Sequence, residues 1–159
     1  MNRSNVFYNI ENQIRDSGGY KGGVTLERRV RVSSAEMLAL AATAKELVPA
    51  PGTDKVLEFV SVVIKYIAGA TGYTESSDEL VVQYSGGQDV ITAIDATNFI
   101  DQTNDEIRVA HLSETALATT VDLEALANTS LVLINNDGEW TGGDGELDVR
   151  IMYRVHDFS

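Results

Sequence analysis

The chain has 159 residues, 43% of them hydrophobic, with 24 acidic and 12 basic side chains and a formal charge of −12. That is enough for one domain with a proper core, too little for two comfortable ones, and too apolar for wholesale disorder. Zero cysteines exclude disulfides, thiolate metal sites and a cysteine nucleophile, and fit synthesis in a reducing cytoplasm.

The charge is unevenly spread. Residues 1–31 hold Arg3, Arg15, Lys21, Arg28, Arg29 and Arg31 against Glu11, Asp16 and Glu27, a net of +3, which leaves −15 on the rest. A body that acidic repels phosphate backbones, so no nucleic-acid partner is expected for it. The start, "MNRSNVFYN", lacks the apolar stretch of a signal peptide. The longest apolar run, residues 60–70, is interrupted by Ser61, Lys65 and Gly69 and falls short of the roughly 18 residues of a membrane span. No membrane partner is expected.

Residues 1–23 read as an arm ending in the Gly-rich hinge "DSGGYKGG", a flexible composition. Upstream, Val6 or Phe7, Ile10 and Ile14 recur at helical spacing, which predicts a small amphipathic helix over residues 5–15. Alone in water it is too short to be stable, so it either frays or lies against a surface. From Val24 the pattern becomes strand-like, with Val24, Leu26, Val30 and Val32 at even spacing in "VTLERRVRV". Ser33 and Glu36 then have capping-box spacing, predicting a short helix over 34–41; the helix formers Ala41 to Leu47 leave a continuation to Val48 open. "PAPG" (49–52) forces a turn, and "KVLEFVSVVIKYIAG" (55–69) reads as a long central strand.

"LVVQY" (80–84) and "DVITAI" (89–94) read as two short strands around the turn Ser85-Gly86-Gly87-Gln88, and "EIRVAHL" (106–112) as another. "VDLEALAN" (121–128) predicts one or two helical turns, with Asp122 as N-cap and Asn128 as stop. "SLVLIN" and "ELDVRIMYRV" flank the loop "NDGEWTGGDG". Short strands with Gly-rich turns predict a mainly β body over 24–159, a β-sandwich or jelly-roll-like domain with one or two short helices and an extended N-terminal arm. The near-continuous Val149, Ile151, Met152, Tyr153 and Val155 predict that the last strand, 147–155, is central.

Chemistry-bearing motifs are scarce. Asp137, Glu139, Thr141, Gly142 and Asp148 approximate a calcium loop, yet Thr stands at its fifth position, Asp at its last, and strand patterns at its flanks. Alternating Leu147, Val149, Ile151 and Tyr153 against Leu131 and Leu133 predict instead a metal-free hairpin. His111 and His156 lack a metal-ligand companion, and no nucleophile elbow, phosphate loop or dinucleotide fingerprint occurs. The sequence therefore predicts no catalysis and no cofactor.

"SSAEMLALAATAKELVPAPGTDKVLEFVSVVIKY", "GYTESSDELVVQYS" and "NTSLVLINNDGEWTGGDGELDVRIMYRV" resemble a group of small virion proteins of tailed bacteriophages, over residues 33–156. The resemblance implies a structural protein of the capsid surface, made in the host cytoplasm. Capsid decoration (cement) is the first assignment, with tail or head-fibre attachment as the alternative. It implies the major capsid protein as partner and a homo-oligomer, a trimer above all. The arm lies outside the resemblance; its residues alone nominate Arg3, Phe7, Tyr8, Ile10, Ile14, Arg15, Lys21, Arg28, Arg29 and Arg31 as partner-binding, and the bland alternative is a passive tail. A carbohydrate- or receptor-binding module would instead need aromatics such as Tyr73, Tyr84 and Trp140 clustered on one exposed face.

Overall fold

A computed structural model of the chain describes residues 24–75, 79–113 and 123–159. The expected arm helix, the hinge and Asp122 lie outside them. Eleven strands and two short helices follow in the order β1 (Leu26–Val32), α1 (Ser34–Leu38), β2 (Lys45–Val48), β3 (Lys55–Ile67), β4 (Tyr73–Thr74), β5 (Glu79–Tyr84), β6 (Gln88–Asp89), β7 (Ile94–Asp95), β8 (Glu106–His111), α2 (Leu123–Leu126), β9 (Leu131–Asn135), β10 (Thr141–Gly142) and β11 (Glu146–Asp157). Two antiparallel sheets make a β-sandwich. Sheet A runs β1-β11-β3-β8, and sheet B runs β2-β9-β5-β6 with β7 also on β5.

Sheet A is organised by its two long central strands. β11 keeps one phase, turning Leu147, Val149 and Ile151 into the core at 0% exposure, with Tyr153 and Val155 packed partly against it. Opposite it, β3 changes phase: Leu57 and Phe59 face the core in its first half, Val62, Ile64 and Tyr66 in its second. The register slips where Met152 pairs with Ser61 but Tyr153 with Phe59, leaving Val60 unpaired. One extra residue there re-aims every later side chain. The last strand is central, as its apolar run predicts.

Ser33 caps α1 as the spacing predicts: its hydroxyl accepts from Glu36 N, and the Glu36 carboxylate accepts from Ser33 N at 2.9 Å. The helix does not continue to Val48. The chain closes a turn, Thr43 N donating to Ala39 O, and residues 45–48 become β2 on β9, with Leu47 and Val48 buried. Pro49 disfavours helical backbone at Val48, and burial against β9 overrides the helix propensity of Ala41 to Leu47. Asn128 does end α2 in the left-handed region at φ 54°. The single strand expected over 89–94 splits into β6 and β7, with Val90 and Ile91 buried between them.

The expected hairpin between residues 131–135 and 147–155 is not formed. β9 belongs to sheet B and β11 to sheet A, so their apolar residues meet across the sandwich. The alternation that suggested pairing within a sheet is the same alternation that lets two sheets face each other.

Replacing Ile151 by Ala should cost about 2–5 kcal/mol of unfolding free energy in urea titration, because it empties a fully buried site. Val109→Ala, on an exposed face, should stay within about 0.5 kcal/mol.

Candidate interaction surface

Alternation on β1 decides where the nominated arginines go. Leu26, Arg28, Val30 and Val32 share the core-facing parity, leaving Arg28 half-buried at the sheet's edge. Glu27, Arg29 and Arg31 lie on the outer face. Arg29 donates from Nε and Nη2 to both carboxylate oxygens of Asp148 at 2.8 and 2.6 Å, and Arg31 makes an ion pair with Glu146. The structure thus gives both guanidinium groups intramolecular partners one strand away. Arg3, Phe7, Tyr8, Ile10, Ile14, Arg15 and Lys21 lie outside the described residues.

The outer face continues in rows across sheet A. One row is Arg31, Asp148, Lys65 and Ile107; the next is Arg29, Arg150, Val63 and Val109; the third is Glu27, Met152, Ser61 and His111. Lys65 pairs with Asp105 at 2.6 Å. Arg150 is exposed and makes no ion pair among the described residues. Ile107 and Val109, on the edge strand β8, are 56% and 57% exposed. Together Val63, Ile107 and Met152, with Glu27, Lys65, Asp148 and Arg150 around them, form a groove of about 380 Å³. A second cleft, about 440 Å³, opens on the other side of β8, between residues 92–97 and 108–111. Sequence reading missed this surface. The signal was there in "EIRVAHL", whose alternating apolar residues could face either way until the sheet order fixed the parity.

The glycine loop is a clamp between loops. Asp144 Oδ1 accepts from Thr71 N at 2.8 Å while Asp144 N donates to Thr71 O at 3.2 Å. β10 pairs with β4, and Tyr73 Oη donates to Gly145 O at 2.6 Å. Gly143, at φ 76°, lies against the Tyr73 ring, where an added Cβ would clash; glycine is required there on both counts. Among the described residues no group of three or more His, Asp or Glu side chains could hold a metal. Asp144 turns to the Thr71 backbone, and Asp148, the last carboxylate of the calcium-like spacing, to Arg29.

Most aromatic side chains of the described residues lie inside. Tyr73, Tyr84 and Trp140 are 3%, 5% and 2% exposed, and Tyr73 lies 6.0 Å from Trp140 and 6.4 Å from Tyr66, centroid to centroid. Burial, with Glu58 nearby, pushes the Tyr84 hydroxyl up to about 12; it donates to Leu57 O. At the far end of sheet A, Glu58 meets His156 Nε2 at 2.6 Å and Arg154 Nη1 at 3.1 Å. This trio ties β3 to β11 across the strands. No helix among the described residues is long and apolar enough to cross a membrane.

No protein-family model and no curated protein matches the chain. Among solved structures it is similar to a chain described as "Cyanophage Pam1 capsid asymmetric unit", at 18% identity and a TM-score of 0.48, covering 86% of this chain and 87% of that one.

Four carboxylates are held below their ordinary range: Asp148 by the Arg29 hydrogen bond, Glu36 by Lys45 and the Ser33 backbone, Asp105 by Lys65 and the Ala68 backbone, and Asp144 by the Thr71 and Ala70 backbone. A depressed folded-state pKa gives stability that is present above the unfolded value and lost as pH falls through the folded one. Chemical denaturation should therefore show stability falling with acid below about pH 4. Asp148→Asn should flatten that slope, and an unchanged slope would refute the Arg29–Asp148 attribution.

Proposed function

We propose that this protein is a structural virion protein of a tailed phage, which decorates the capsid and stabilises it by binding major capsid protein subunits, with residues 1–23 as the anchor of a single β domain. The motif resemblance supports the class. So does the strand order: counting eight principal strands along the chain, β1, β2, β3, β5, β6, β8, β9 and β11, the sheets read 1-8-3-6 and 2-7-4-5. We read that as jelly-roll order, an architecture used by viral capsid and lectin domains alike. Fold alone does not choose between those two uses.

The burial of Tyr73, Tyr84 and Trp140 carries the choice. A carbohydrate-binding face needs aromatic surface on which a sugar can lie, and these three are core and loop-clamp residues. The acidic body, with its arginines largely paired on its own surface, is suited to a solvent-facing position on a shell. The basic arm with its apolar stripe is suited to contact. Burying three of Val6, Phe7, Ile10 and Ile14 would contribute about 4 to 8 kcal/mol gross, before ordering costs. Arg3 and Arg15 would add mainly steering and salt sensitivity. Self-association as a closed trimer belongs to the same reading, since closed symmetry limits runaway assembly. A tail or head-fibre component is the alternative, and it would form rings or tubes alone at high concentration.

The protein should co-purify with intact particles. Deleting residues 1–23 should leave the body folded and abolish that binding, Phe7→Ala with Ile10→Ala should do most of the damage, and high salt should weaken attachment only in part. A truncated chain that decorates as tightly as the full one would make the arm a passive tail. Light scattering should give an oligomer; a monomer at every concentration, on and off particles, would overturn the trimer.

A further inference from the structure

The groove on the outer face of sheet A is an apolar strip with Glu27, Lys65, Asp148 and Arg150 around it, of which Lys65 is paired with Asp105 and Asp148 with Arg29. Val63, Ile107 and Met152 line it, Val109 sits beside Val63 in the same row, and Arg150 stands in it with no ion pair among the described residues, because Asp148 is held by Arg29. β8 bounds it as an edge strand without proline, lysine or bulge, its charged residues Glu106 and Arg108 falling on the opposite parity from Ile107 and Val109. An occupant that covers this strip and meets Arg150 needs an apolar stripe carrying an acid.

The chain contains such a segment. On a helix, residues three and four apart share a face, so Phe7, Ile10, Glu11 and Ile14 fall together: an apolar stripe with one carboxylate inside it. A carboxylate laid on an apolar surface is costly unless it meets a cation. The point of departure also fits. Glu27 forms the groove's rim, and the described chain begins three residues earlier, at Val24. Residues 16–23, extended, reach about 26 Å, more than the roughly 14 Å across the four strands of sheet A. A helix over residues 5–15 would be about 16 Å long, within the roughly 20 Å of β8 beside it. Because the segment is tethered to the sheet, its effective concentration far exceeds that of a free partner.

We propose that in the free protein residues 5–15 dock in cis in this groove, Phe7, Ile10 and Ile14 on its apolar lining and Glu11 on Arg150. The apolar face that binds the shell is thereby covered until a shell competes for it, a shift between two docked states. This rests on the arm's role as anchor only for its purpose. The docking itself needs no particle, so it can fail while particle binding stands.

Hydrogen exchange measured by mass spectrometry on the free full-length chain tests it. Residues 5–15 should exchange more slowly than the same sequence as a synthetic peptide. Arg150→Glu and Glu11→Arg should each raise their exchange roughly threefold, the worth of a half-exposed ion pair, and the two together should restore protection. Ile107→Lys with Val109→Lys, both on an exposed face, should remove it without unfolding the sheet. Peptide-like exchange in the unsubstituted protein, or a double variant no better than either single one, would overturn the proposal. Protection that appears only as concentration rises would place the segment on a second copy and overturn the assignment in cis.

Discussion

The unpaired residue at Val60 is the constraint on which the sandwich depends. A thirteen-residue strand with strict alternation would turn one of its halves outward, exposing either Leu57 and Phe59 or Val62, Ile64 and Tyr66. With one residue added, both halves face sheet B, and the core extends along the whole length of β3. The two ends then acquire different jobs. Leu57 supplies the carbonyl that takes the Tyr84 hydroxyl from the opposite sheet. Tyr66, at the other end, starts a chain of rings through Tyr73 to Trp140, with Phe99 6.1 Å from Tyr66 on its flank. Through those rings the glycine loop is fixed to the core, and Gly143 and Gly145 are small because the Tyr73 and Tyr66 rings press on them.

Charge follows from the same geometry. Once β11 is central, its outward residues Glu146, Asp148 and Arg150 lie between the outward residues of β1 and β3. Arginines that look free in "LERRVRV" find carboxylates one strand away. Such pairs are each worth little on an exposed face, but they change what the surface offers: two of the arm-proximal cations are already satisfied. A sheet face with interleaved acids and bases holds few unpaired charges, which makes Arg150, left over beside an apolar strip, conspicuous.

How much of this was legible follows from the range of the forces involved. Period-two alternation is local, so β1, β3, β8, β9 and β11 could be read directly, as could the Ser33–Glu36 capping box and the left-handed stop at Asn128. Two points were decided at longer range, one left open and one misread. Residues 41–48 have helix-forming side chains, and only the partner strand Leu131–Asn135 and the proline behind Val48 show why the last four are a strand. The residues around the glycine loop alternate well enough for a hairpin, and nothing local says that the two strands join different sheets. The outer groove was invisible for a related reason. Ile107, Val109, Val63, Met152 and Arg150 come from three segments far apart in sequence, and which face each occupies depends on the bulge at Val60.

The division of labour between body and arm is a matter of contact area. On the function proposed above, a macromolecular partner would have to be held by surface. A stable interface buries about 800 Å² on each side, contributed by roughly 20–30 residues. The exposed apolar part of sheet A's outer face, a handful of side chains, falls well short of that. On that reading, the 23 residues of the arm are of the required order by themselves, and the glycine-rich composition behind them suits a hinge. The arm's apolar side chains, on that reading, need cover whenever no partner is present. The chain itself offers an apolar surface for that cover, the groove beside β8 on the outer face of sheet A.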